Sequence, residues 1–118
     1  MFTQTDSDVL RAWSVATGST PSLTHTVTGT SHGGYGGSMP IVSSNGAGAG
    51  VVWLINRASE PFSIEAYNAN LLGDPIFTAQ IGLWSNPDYS NAFLTPMEAN
   101  GRVYAPGYNL VRIYGLSP

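Results

Sequence analysis

The amino-acid sequence predicts an all-β domain of antiparallel strand meanders. Three observations lead there. Apolar residues alternate or run in short blocks, and no stretch keeps helical spacing. Gly, Pro, Ser, Asn and Asp interrupt the chain about every ten residues. The 14 glycines and 8 prolines among 118 residues suit turns and weaken helices. The length is that of one domain, 1–118, able to bury a modest core.

The strands are expected at 1–5, 9–15, 22–28, 38–43, 50–57, 62–68, 75–80, 93–98, 102–106 and 110–115. The first two flank Asp6-Ser7-Asp8, whose side chains favour a turn. A glycine-rich stretch, "THTVTGTSHGGYGGSMP" at 24–40, follows. The pairs 38–43 with 50–57 and 93–98 with 102–106 enclose Asn45-Gly46 and Asn100-Gly101, dipeptides suited to hairpin turns with positive φ at both centres. The strand "GVVWLINR" at 50–57 is apolar on both faces: Val51, Trp53 and Ile55 point one way, Val52 and Leu54 the other. Such a strand belongs between layers, where its five apolar side chains together contribute on the order of 10 kcal/mol.

The pattern repeats. "VLRAWSVATG" at 9–18, "SIEAYNANLLG" at 63–73 and "LVRIYGL" at 110–116 alternate and carry an aromatic at the fifth place, Trp13, Tyr67 and Tyr114. Overlaying the two ends of the chain places Phe2 on Val103, Leu10 on Val111, Arg11 on Arg112, Ala12 on Ile113 and Trp13 on Tyr114. The unit is a four-stranded meander, a to d. The chain reads bcd, abcd, abc over about 1–28, 38–80 and 93–116.

The stretches "GGSMPIVSSNGAGAGVVWLIN", "IEAYNANLLGDPIFTA" and "FLTPMEANGRVYAPGYNLVRIYGL", in that order, resemble blades of the quinoprotein-like (PQQ-type repeat) β-propellers. The likeness covers nearly the whole chain and implies a C-terminal fragment of about two and a half blades. It also implies an aromatic docking between blades, for which the second unit offers Phe77. Ser14 and Asn68 stand where the family often has aspartate. The quinone-dependent members need a full ring, calcium ligands and, in some, adjacent cysteines. None of these is visible here, so no cofactor is expected. A partial ring leaves two apolar faces and bare strand edges, so the expectation is a homo-oligomer, a dimer before other states, that completes the propeller. The alternative fold is a monomeric β-sandwich or barrel.

Charged residues are 9% of the chain, the four cations are all arginine, and the net charge is −3. That argues against phosphate-backbone binding, so no nucleic-acid partner is expected. The lack of cysteine excludes disulfides, thiolate zinc sites and cysteine nucleophiles. No membrane span is expected, because the longest apolar run, Val51 to Ile55, is far too short. No signal peptide is read in the chain as given, and the compartment stays open, although the resemblance implies exported relatives.

Two loops are candidate sites for a small molecule or carbohydrate. At 29–38, His32 and Tyr35 sit among glycines. His32 has the chemistry of a base or metal ligand, but a metal needs a third ligand, and the glycines serve equally for a sharp turn near a propeller axis. At 82–92, Trp84, Asp88, Tyr89 and Asn91 offer an aromatic platform with polar groups for hydroxyls, or a plain loop over a tucked Trp84. Asp6-Ser7-Asp8 lacks the rest of a calcium loop. Glu65 and Glu98 are too isolated to pair as catalytic carboxylates, and no serine sits in a nucleophile elbow. Arg11 and Arg112 occupy equivalent places. No catalytic or metal-binding residue is therefore nominated. The expected function is a non-catalytic, self-assembling propeller-type module. The alternatives are an inactive remnant of a quinoprotein enzyme that needs another chain, and a hydrolase whose histidine site forms at a subunit interface.

Overall fold

Each of the ten expected segments overlaps a strand in the computed structural model, which describes residues 1–46, 48–83 and 94–115. They are β1 (Phe2–Thr3), β2 (Val9–Ala16), β3 (Ser22–His32), β4 (Ile41–Ser44), β5 (Gly50–Asn56), β6 (Phe62–Asn68), β7 (Leu72–Gly82), β8 (Met97–Ala99), β9 (Arg102–Gly107) and β10 (Leu110–Gly115). No helix forms among the described residues. The chain is all-β.

The strands pair as three antiparallel meanders. β1–β2–β3 form the first, β4–β5–β6–β7 the second and β8–β9–β10 the third. A single parallel bridge, Gly29 to Gly73, joins β3 to β7 and links the first two into one curled sheet of order β1-β2-β3-β7-β6-β5-β4. The third is a separate sheet.

The second meander is the middle layer, and β5 explains why. Val52 and Leu54 pack with Leu10, Ala12, Tyr67 and Leu72, with Phe2 and Val27 at the margin. Ile55, flanked by Trp53, packs on the opposite face with Phe62, Ile64, Ile81, Leu94, Val103 and Ala105. Strand alternation thus feeds two cores from one strand. The two-faced reading of 50–57 is what the packing shows.

Local geometry departs from expectation at several points. β3 runs on to His32, so this histidine ends a strand and pairs with Val9. Two irregularities opposite β2 absorb the extra residues of β3. The strand expected at 93–98 is only Met97–Ala99, and position 93 lies outside the described residues. Asn100 and Gly101, with φ of 52° and 68°, make the two-residue turn closed by Ala99 and Arg102. After Asn45-Gly46 the ladder resumes only at Ser44 opposite Gly50, a wider connection than that dipeptide predicts.

The overlay of the chain ends also slips by one residue on one strand. Phe2 pairs with Ala12, whereas Ile113, the counterpart of Ala12, pairs with Tyr104. Phe2 therefore corresponds to Tyr104 in the ladder and not to Val103. The hairpin loops differ in length, and loop length sets register.

Candidate functional site

The glycine-rich stretch after β3 is a structural hub. Gly33 N donates to the Asp8 carbonyl at 2.9 Å, Gly37 N to the Gly34 carbonyl at 3.0 Å, and Ser38 N to the Gln4 carbonyl at 3.1 Å. Gly36 N donates to Asp6 Oδ1 at 2.9 Å, and Arg57 Nη2 to the Tyr35 carbonyl at 2.6 Å. At Gly34 the backbone approach is so close that an added Cβ would collide with the Arg57 carbonyl group. Glycine is required there for close backbone contact. Asp6-Ser7-Asp8 forms the adjoining turn. Asp8 accepts from Val9 N at 2.8 Å and pairs with Arg11 at 2.9 Å, and these contacts hold its carboxyl at a pKa of about 2.

Between the first and second layers lies a buried polar cluster. Ser31 Oγ and Asn56 Nδ2 each donate to Glu65 Oε1 at 2.9 Å, and the Tyr67 hydroxyl donates to Glu65 Oε2 at 2.6 Å. Asn56 Nδ2 also reaches the His32 carbonyl at 3.0 Å, while its Oδ1 accepts from Ala58 N at 2.8 Å. Both oxygens of a nearly buried carboxylate are thereby satisfied, as burial requires. Gln4 borders this cluster, its Nε2 donating to the Ser31 carbonyl at 3.4 Å. The arrangement ties β3, β5 and β6 together and offers no open face to a substrate.

Between the second and third layers the packing opens into a cleft of about 790 Å³. Trp53, Phe77 and Tyr114 run along it. Phe77 meets Trp53 edge-on at 6.2 Å between centroids and Tyr114 edge-on at 5.5 Å. Phe77 thus docks between two layers. Burial raises the Tyr114 phenol above its ordinary pKa. Ser44, Asn45 and Glu98 lie at the polar side of the same cleft.

The outer surfaces carry the most informative asymmetry. Leu10 and Ile64, which the sequence overlay aligns, each face the following layer and are fully buried, but Val111, aligned with both, is 59% exposed. Ala12 and Ala66 are buried while their counterpart Ile113 is 56% exposed. Tyr67 and Tyr114 face the preceding layer. Strand alternation puts Trp13 on the corresponding outer face, where its ring meets His25 at 5.4 Å. All three layers therefore point the same way along the stack. The forward face of the third and the backward face of the first lie uncovered.

No family model, curated protein or solved structure matches this chain.

Of the residues singled out in the sequence, His32 and Tyr35 are exposed at the rim of the hub. His32 Nδ1 donates to the Ser7 carbonyl at 3.2 Å, and the Tyr35 backbone carbonyl receives Arg57. Trp84, Asp88, Tyr89 and Asn91 lie outside the described residues. Among the described residues no three His, Asp or Glu side chains gather as a metal site. Sequence reasoning passed over the Glu65 cluster and the Trp53–Phe77–Tyr114 cleft. The signal for Glu65 was a lone carboxylate two places from Tyr67 on a strand with apolar neighbours. The cleft had no local signal, because its walls come from two different meanders.

Proposed function

We propose that this chain is a non-catalytic, self-associating module of the propeller type, in which copies stack head to tail. The supporting observation is the exposure of Val111 and Ile113 at repeat positions that are buried in the other two layers. The same kind of contact is made twice within the chain, first layer on second and second on third. A second copy offers the matching backward face, with Trp13, Val15 and Leu23. Val15 and Leu23 are 51% and 56% exposed. Both faces have the character of an interface awaiting a partner. Because the two faces differ, the contact is heterologous and closes only if the rotation per chain divides the circle; two copies would close a ring of six layers.

Sedimentation of the full chain tests this. The parent is expected to weigh a multiple of the monomer. Val111→Asp and Val15→Asp are each expected to give monomers with unchanged circular dichroism. Mixing the two variants is expected to restore association through the one intact pair of faces. A monomeric parent at high concentration, or variants that associate like the parent, overturns the reading.

A further inference from the structure

We propose that the cleft between the second and third layers binds a neutral saccharide. Its volume of about 790 Å³ falls within the range of small-ligand sites and suits a short oligosaccharide. Trp53, Phe77 and Tyr114 give it a continuous aromatic wall drawn from two layers. Such rings offer apolar, electron-rich faces to the C–H groups of a pyranose. Ser44, Asn45 and Glu98 add a hydroxyl, an amide and an exposed carboxylate on the polar side, each able to bond sugar hydroxyls. The carboxylate is the strongest acceptor of the three.

The charge of the cleft argues against an anionic ligand. Among the described residues lining the cleft, Glu98 is the only charged one, so an anion meets repulsion there. The three rings pack on one another edge-on, at 5.5 and 6.2 Å between centroids. A flat, uncharged ligand with one apolar face and a fringe of hydroxyls fits what remains. The two repeats also bring their Asn-Gly connections to this cleft, since Asn45 and Gly101 both line it.

The test uses the full chain with maltotriose, cellotriose and mannotriose as probes, and tetramethylammonium and inorganic phosphate as controls. Nuclear magnetic resonance follows the Trp53 indole N–H and the Tyr114 ring, and calorimetry gives affinity. At least one trisaccharide is expected to shift both signals. Glu98→Gln, at an exposed position, is expected to weaken binding about tenfold with no change in melting. The Val111→Asp chain is expected to bind equally well, because the cleft lies within one chain; failure of self-association therefore leaves this result untouched. No binding at ~10 mM trisaccharide, binding indifferent to Glu98→Gln, or tetramethylammonium or phosphate shifting the Trp53 signal instead each overturns the assignment.

Discussion

The Tyr67 hydroxyl donates to Glu65 Oε2 at 2.6 Å, a bond between residues two apart on one face of β6. Burial raises the Tyr67 phenol above its ordinary 10.0, and its hydrogen bond to Glu65 and the charge there raise it further. A raised pKa gives stability that is complete below about pH 10 and lost as pH climbs through the folded value. Tyr67→Phe is expected to remove this alkaline loss. At neutral pH it leaves Oε2 without its donor, at a cost of about 1.5–3 kcal/mol. Urea unfolding at neutral and alkaline pH measures both effects, and equal neutral stabilities would show the bond to contribute nothing.

Asp8 behaves in the opposite sense. Its pKa of about 2 comes first from the Arg11 hydrogen bonds and then from Val9 N–H. A depressed pKa gives stability that is present above the ordinary 3.8 and lost as pH falls toward 2. Arg11→Ala is expected to move the Asp8 carboxyl back toward 3.8 without fully reaching it, because Val9 still donates. A carboxyl titration followed by carbon resonance checks this. The pair is partly exposed, so the effect on total stability is expected to be small.

Gly34 and Gly18 form a matched contrast. A Cβ at Gly34 would press on the Arg57 backbone, while a Cβ at Gly18 meets nothing within 4 Å. Gly34→Ala is expected to cost about 1–3 kcal/mol or more, as overpacking against a backbone does. Gly18→Ala is expected to be neutral or to stabilise by up to about 1 kcal/mol, through the unfolded chain. Paired urea curves decide the matter, and equal effects at the two sites would refute the hub.

Adjacent residues of β5 test the layering. Leu54 belongs to the core against the first layer and Ile55 to the core against the third. Leu54→Ala and Ile55→Ala are each expected to cost about 2–5 kcal/mol. Leu71→Ala, at a side chain 70% exposed, is expected to change stability by less than about 0.5 kcal/mol. A harmless substitution at either 54 or 55 would mean that face of β5 carries no layer.

Part of this molecule was legible as a string. Strand alternation and turn residues depend on near neighbours in sequence, and they marked the strands and the double-faced β5. Interpretation of the candidate sites was harder. His32 and Tyr35 stand at a loop whose glycines serve close backbone packing. Neither the Glu65 cluster nor the Phe77 cleft follows from any one segment, since each joins side chains from different layers.

The sequence by itself determined that the chain forms β meanders and which strands carry two apolar faces, because side-chain direction along a strand is set by backbone geometry alone. Only the tertiary structure decided the order of the layers, the one-residue slip between Phe2 and Tyr104, and which apolar faces stay uncovered. Those depend on loop lengths, bulges and contacts between residues far apart in sequence, where packing and not local preference determines the result.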